Sequence, residues 1–144
     1  MTGGGLAIEG YASVFWAPDG GRDVVAAGAF GESLALRPPA RVEMLHGHDP
    51  YAVIGVWDEV KENERGLFVR GRIFEAAPLA TPAARLCAAL VRRRALDGLS
   101  IGFRTVRARS DPAHGGLRVL TEIDLQEVSL VRTPLLPSAR LRLA

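Results

Sequence analysis

The alternation of apolar and polar residues predicts a chain built mainly of β-strands. The first predicted strand, Leu6 to Phe15, is rich in β-branched and aromatic residues. Further strands are predicted over Ala40–His48, twice within Ala52–Phe74 around a charged turn at 61–66, over Ser100–Ser110, and over Leu117–Thr133 as one long or two short strands. The repeated short alternation favours a fold in which sheets, not helices, form the core.

Two helices are predicted beside these strands. The stronger runs from Ala80 to Leu96, because Thr81 can cap it and Pro82 suits a first helical turn. Its apolar residues recur with helical spacing at Leu86, Leu90 and Val91. A weaker, short helix within Ala27–Leu36 must end before the proline pair at 38–39.

The order of these elements indicates the fold class. About seven strands, one strong helix and one weak helix are predicted, and the strands do not alternate with the helices. This favours a mainly β fold with helices (α+β), an antiparallel barrel or sandwich with the helices packed outside, over a doubly wound sheet. The length of 144 residues predicts one domain, residues 1–144.

Composition and charge narrow the function classes. Hydrophobic residues make up 48% of the chain, which is typical of a globular protein. The net charge is +2 and no basic stripe carries aromatic residues, so specific nucleic-acid binding is not expected. No stretch has the pattern of a signal peptide or a membrane span. Cys87 is the only cysteine, lies in an apolar helical pattern, and is predicted to be a buried thiol in an intracellular or virion-interior protein.

A serine between two glycines is the first candidate for chemistry. Gly98, Ser100 and Gly102 match the G-x-S-x-G pattern that forms a strand-to-helix elbow in α/β-hydrolases. Here a helix precedes the pattern and a strand follows it, so the elbow is not expected. The glycines would instead allow another backbone or a substrate carbonyl to approach Ser100 closely.

A serine needs a base, and two histidines lie close together in the sequence. His46 and His48 come near the end of a predicted strand, from which an inward-facing ring could reach Ser100 across a barrel. The alternative is that both are ordinary surface or half-buried residues. A zinc site is not predicted, because no third ligand is evident near this pair.

A carboxylate could orient such a base, and strand alternation favours Glu127. The alternation places Glu127 on one face with Ile123, Leu125, Ser129 and Val131. A carboxylate in an apolar stripe is costly unless it has a partner, whereas Glu122 and Asp124 fall on the opposite face. The alternative is a glutamate that faces water on an edge strand.

Six stretches together resemble one family. They are "EGYASVF", "GAFGESL", "VEMLHGHDPYAVIG", "ERGLFVRGRI", "LDGLSIGF" and "LQEVSLVRTPLLPSA", and they span nearly the whole chain. In this order they resemble the prohead maturation proteases of tailed phages with the HK97-type capsid. Proteases of this type also occur in phage-derived gene transfer particles, and the resemblance extends to such a source for this arginine-rich chain.

The resemblance implies a fold and a set of site residues. It implies an antiparallel β-barrel like that of the herpesvirus assembly proteases, and serine endopeptidase activity. Ser100 matches the family nucleophile and His48 the base, with His46 as the fallback base. Glu127 takes the third place, and Arg132, with backbone N–H groups, is the candidate for stabilising the oxyanion.

The resemblance also implies a task. Copies of the enzyme, enclosed in the immature capsid in the cytoplasm, would cleave the scaffolding segment of the major capsid protein precursor and also themselves. The resemblance leaves open whether the enzyme forms a homo-oligomer. No cofactor, metal, membrane or specific nucleic acid is expected. Two alternatives remain: a non-catalytic module of the same fold that binds capsid protein during assembly, and a small-ester hydrolase.

Overall fold

The computed structural model describes residues 4–144, apart from the side chain of His114. Its strands are β1 (Gly5–Val14), β2 (Asp23–Val25), β3 (Glu43–His46), β4 (Val53–Glu62), β5 (Gly66–Phe74), β6 (Gly98–Asp111), β7 (Leu117–Val131) and β8 (Leu141–Leu143). The α-helices are α1 (Gly31–Leu36) and α2 (Pro82–Arg92), and short 3-10 turns occupy Pro39–Arg41 and Pro112–His114. The mainly β class with one strong and one weak helix is confirmed.

All of these strands belong to one curled sheet. The order is β2-β7-β3-β4-β5-β1-β8, and β6 pairs along β7. The N–H of Leu99 donates to Ala139 O at 2.9 Å and the N–H of Leu141 to Asp97 O at 2.8 Å, so the segment around β8 also bonds to the start of β6. The sheet therefore wraps around its core as a barrel-like layer.

Two pairings depart from a purely antiparallel barrel. Strands β2 and β3 both pair with β7 in parallel, and the other named pairings are antiparallel. Strand β7 runs antiparallel to β6. Strands β2 and β3 run in the same direction as β7, β2 beside its first residues and β3 beside its last. The parallel β3–β7 contact matters for function because the chain leaves β3 beside Leu130 of β7, which pairs on its other side with Leu99 near the start of β6.

The core lies inside the curled sheet and under α2. Its largest buried side chains include Ile8, Met44, Trp57, Leu67 and Leu99. Helix α2 begins as predicted, with Thr81 Oγ1 accepting the N–H of Ala84 at 3.1 Å. Its buried face consists of Ala84, Cys87, Ala88 and Val91, whereas Leu86 is exposed. Small residues on that face let the helix approach the sheet closely.

Several predicted boundaries change in the structure. Residues 23–25, for which no strand was predicted, form β2, and the C-terminal segment supplies β8. The predicted strand over 40–48 is shortened to Glu43–His46. Proline favours the 3-10 turn before it, and a turn with positive φ at Gly47 and His48 follows it. His48 therefore lies beyond the strand that was expected to contain it.

A register shift in β7 changes which residues face the core. Gly102 pairs with Glu127, but Phe103 pairs with Leu125, so Gln126 is an extra residue in β7. Ile123 and Leu125 join the core before this bulge, and Val128 and Leu130 join it afterwards. The predicted single face from Ile123 to Val131 is therefore wrong. The bulge leaves Glu127 and Ser129 together on the other face.

Cys87 is fully buried, and burial raises the pKa of its thiol to about 11. The predicted buried thiol is thus confirmed, and its protonated form is a poor nucleophile. Neither described α-helix has the length and apolar character needed to cross a membrane.

Candidate active site

Ser100 lies near the start of β6, in an extended strand and not in an elbow. In the β6–β7 register it stands opposite Ser129. A Cβ on Gly98 would come within 2.6 Å of Val131 O and 2.8 Å of Pro134 Cδ. A Cβ on Gly102 would come within 2.3 Å of Glu127 Oε2. The two glycines thus make room for the chain after β7 and for the Glu127 carboxylate.

His48 lies in the tight turn that leaves β3. Gly47 and His48 have φ of 61° and 62°, the left-handed region that residues with side chains rarely adopt. The N–H of Gly47 donates to Leu130 O at 3.0 Å, and the N–H of His48 donates to Ser129 Oγ at 3.0 Å. Both bonds attach the turn to β7 and direct the imidazole toward β6.

The carboxylate of Asp49, the residue after His48, bonds to the backbone of the turn. Its Oδ1 accepts the N–H of Tyr51 at 2.9 Å, within the turn that ends at β4. A carboxylate engaged with the backbone in this way is typical of an Asx turn. Asp49, although next to His48 in the sequence, is therefore not in position to orient the imidazole.

The structure brings Ser100, His48 and Glu127 into one chain of hydrogen bonds. His48 Nε2 lies 3.1 Å from Ser100 Oγ, and His48 Nδ1 lies 2.7 Å from Glu127 Oε2. Because an ionised carboxylate only accepts, the proton of the neutral ring belongs on Nδ1. The lone pair of Nε2 then faces the serine hydroxyl, which is the arrangement that a base for this serine requires.

The carboxylate also sets the electrostatics of the histidine. The hydrogen bond with Glu127 raises the pKa of His48 above its ordinary value; partial burial opposes the effect and the charge of Glu127 adds to it. The side chain of Glu127 is 13% exposed and that of His48 is 43% exposed. An imidazolium formed by proton uptake at Nε2 would therefore be stabilised by a nearby, largely buried negative charge.

The other two predicted residues are placed apart from this chain of bonds. His46 is half-buried at the end of β3, and its described contacts do not include Ser100. Arg132 is exposed and directly follows β7, where Val131 pairs with Gly98. The role of Arg132 stays a prediction. Among the described residues, no three His, Cys, Asp or Glu side chains form a group that could hold a metal.

Ser129 is a site residue that sequence reasoning did not select. It is fully buried, accepts the N–H of His48, and lies with its Oγ 2.7 Å from Glu127 Oε1. Its position two residues after Glu127 on a strand was the available signal, since such residues share a face. The contact with His48 depends on the β3–β7 pairing, which the sequence does not display.

Solved structures with a similar fold are viral proteases. The structure superposes on the bacteriophage T4 capsid assembly protease with a TM-score of 0.68, at 16% identity, covering 88% of this chain and 81% of that one. It superposes on KSHV protease in complex with a hexapeptide phosphonate inhibitor with a TM-score of 0.51, at 18% identity over 89% and 60% of the two chains. The predicted likeness to herpesvirus proteases is confirmed at the level of the fold.

Sequence comparison identifies relatives more specifically. The chain is 37% identical over 101 residues to the prohead protease of Enterobacteria phage HK97, covering 69% of this chain and 43% of that protein. It therefore spans less than half the length of this relative. The family model described as caudovirus prohead serine protease matches residues 2–144. The chain belongs to the caudovirus prohead serine protease family.

Proposed function

We propose that this chain is a serine endopeptidase that cleaves the scaffolding segment of the major capsid protein inside the immature capsid. The observation that carries the proposal is the pair of hydrogen bonds from His48, at 3.1 Å to Ser100 Oγ and 2.7 Å to Glu127 Oε2. Family membership supplies the reaction class, and the names of the T4 and HK97 relatives supply the setting, capsid assembly and the prohead.

The proposed mechanism uses the same three groups in both half-reactions. Ser100 Oγ attacks the scissile carbonyl carbon while His48 Nε2 takes its proton. The tetrahedral intermediate then expels the amine, which receives that proton from His48, and an acyl-enzyme on Ser100 remains. Water attacks this ester while His48 Nε2 takes a proton from it; the second tetrahedral intermediate then expels Ser100 Oγ, which receives that proton from His48, and the acid product is released. Glu127 holds the ring and stabilises its positive charge throughout.

Stabilisation of the oxyanion is assigned to backbone N–H groups near Ser100, with Arg132 as an added donor. The support comes from position along the strands. Arg132 directly follows Val131, the last residue of β7, and Val131 pairs with Gly98, which lies two residues before Ser100 on β6. Its side chain is exposed, so it is available to a bound substrate. Removing one donor of an oxyanion hole typically lowers the rate about 10²- to 10³-fold.

A polypeptide substrate suits this site better than a small ester. The cavity that adjoins Ser100 has a volume of only about 40 Å³. Pockets that enclose small ligands are usually about 300–1,000 Å³. Since His48 is also 43% exposed on its side chain, the site lies on an open surface. Such a surface favours a chain that lies across it, with most of the binding outside the cavity.

Gly102→Ala is expected to lower peptidase activity about 100-fold, through displacement of a catalytic group, while the protein stays folded. Its Cβ would overlap Oε2, Cδ and Cγ of Glu127, so the whole glutamate side chain must rotate away, at the expense of its bond to His48. The control is Gly31→Ala, whose Cβ would lie 3.7 Å from Glu62 Oε1, an ordinary contact, outside the site. Kinetics and thermal melting of both variants test this, and full activity of Gly102→Ala would contradict the placement of Glu127.

Co-expression with its cognate major capsid protein precursor tests the proposed task. We expect the capsid precursor to lose an N-terminal segment, and mass spectrometry of the products to reveal one new N-terminus. The same experiment would reveal cleavage of the protease itself. The Ser100→Ala chain is the control. An uncut precursor that nevertheless binds the folded wild-type chain would favour the alternative, a non-catalytic assembly module.

A further inference from the structure

Ser129 occupies the point where the three strands of the site meet. On β7 it stands opposite Ser100 of β6 in one direction and opposite Leu45 of β3 in the other. It is fully buried, although its side chain is polar. A buried hydroxyl is costly unless its hydrogen bonds are satisfied, so its partners define what this residue does in the fold.

The hydroxyl bonds to both the base and its carboxylate. The N–H of His48 can only donate, so Ser129 Oγ accepts it, at 3.0 Å. The hydroxyl proton is then free for Glu127 Oε1, at 2.7 Å. Both carboxylate oxygens of Glu127 are thereby engaged, Oε1 by Ser129 and Oε2 by the ring of His48.

The two bonded groups are those whose positions need support. His48 has a left-handed backbone at φ 62°, which a histidine adopts only when its surroundings hold it there. Glu127 follows the bulge at Gln126, where the regular ladder of β7 is interrupted. One hydroxyl attached to both groups restricts the distance between the imidazole and the carboxylate.

We propose that Ser129 is a positioning residue of the active site, whose hydroxyl holds the His48 backbone and the Glu127 carboxylate in register for proton transfer. This inference rests on the proposed function. Hydrogen-bond partners of metal ligands, which position a functional group in the same indirect way, change activity about 10- to 100-fold when they are removed, and we expect an effect of that size here. The effect belongs in kcat, because Ser129 is buried behind the base and does not face a substrate.

Ser129→Ala is the direct test, and Ser33→Ala is its matched control. Ser33 is also buried, accepts the N–H of Leu125 at 2.9 Å and lies 3.5 Å from a carboxylate oxygen of Asp124, outside the site. We expect Ser129→Ala to lower kcat about 10- to 100-fold with KM changed less than about twofold. We expect Ser33→Ala to affect thermal stability and leave kcat unchanged. Ser129→Thr, which keeps the hydroxyl, should recover most of the loss.

A pH measurement separates positioning from a general loss of structure. Glu127 is the charged group bonded to the His48 ring; Asp49 turns its carboxylate to the backbone, and His46 precedes the turn on β3. Without the Ser129 hydroxyl, Glu127 is no longer held beside the ring, so its negative charge stabilises the imidazolium less. The acid limb of kcat/KM and the NMR titration of the His48 ring should therefore both move to lower pH in Ser129→Ala.

The NMR titration needs no peptide cleavage, so it decides the role of Ser129 even if the wild-type chain proves inactive. Loss of wild-type cleavage would refute the proposed function alone. A His48 titration in Ser129→Ala that stays in place or moves to higher pH would overturn the positioning role. So would equal losses of kcat in Ser129→Ala and Ser33→Ala.

Discussion

Ser100→Ala is expected to reduce cleavage of the capsid precursor by roughly 10⁵- to 10⁶-fold, the loss seen when a serine nucleophile is removed from such a triad. The reason is chemical, since alanine has no atom that can form the acyl-enzyme. Ser100 is half-buried and its side-chain contact is with His48, so the fold should persist. The measurement is kcat/KM on a peptide that spans the mapped cleavage site.

Thermal melting of Ser100→Ala provides the control for that result. Loss of one hydrogen-bonding hydroxyl alters the free energy of unfolding by only about 1 kcal/mol. A variant that melts near the wild-type temperature and is inactive identifies Ser100 as the nucleophile. A variant that still processes the capsid precursor at a wild-type rate would remove Ser100 from the mechanism.

His48→Ala is expected to be as inactive as Ser100→Ala, whereas His46→Ala should retain activity within about threefold. Nucleophile and base act as a unit, so the double variant Ser100→Ala/His48→Ala should be no worse than either single variant. The ring of His48 lies 3.1 Å from Ser100 Oγ, and the described contacts of His46 do not include this serine. Steady-state kinetics of the four chains measure the comparison.

The pair of histidines makes this comparison informative. His46 ends β3 and His48 lies in the six-residue connection that follows it, residues 47–52, so general damage to this loop would lower activity in both variants. Inactivity of His46→Ala together with activity of His48→Ala would exchange their roles and make the fallback base the true one. Equal losses in both would point to a structural effect on the turn.

Much of the fold can be predicted from the sequence, because many of its elements have local signals. Thr81 and Pro82 marked the start of α2 because capping and proline preferences act over a few residues. The charged turn between β4 and β5 was visible for the same reason. By contrast, β2 has only three residues, and its pairing with β7 links segments far apart in the chain. No local pattern displays such a contact.

The site was predictable in its residues but not in its geometry. Ser100, His48 and Glu127 were selected from the pattern and from family resemblance, yet His48 was placed in a strand and Glu127 on a continuous face. The positive φ at His48 and the extra residue at Gln126 are backbone features with no clear signature in the sequence. Both features are needed to bring the three side chains together.

Covalent labelling with a fluorophosphonate tests the central claim most directly, namely that Ser100 is a nucleophile activated by His48 and Glu127. Ser100 Oγ would form a bond to phosphorus, fluoride would leave, and His48 would take the hydroxyl proton. We predict one label per folded wild-type chain, mapped by mass spectrometry to the peptide containing Ser100, and none on His48→Ala. A folded wild-type chain without a label on Ser100, or equal labelling of His48→Ala, would contradict the account.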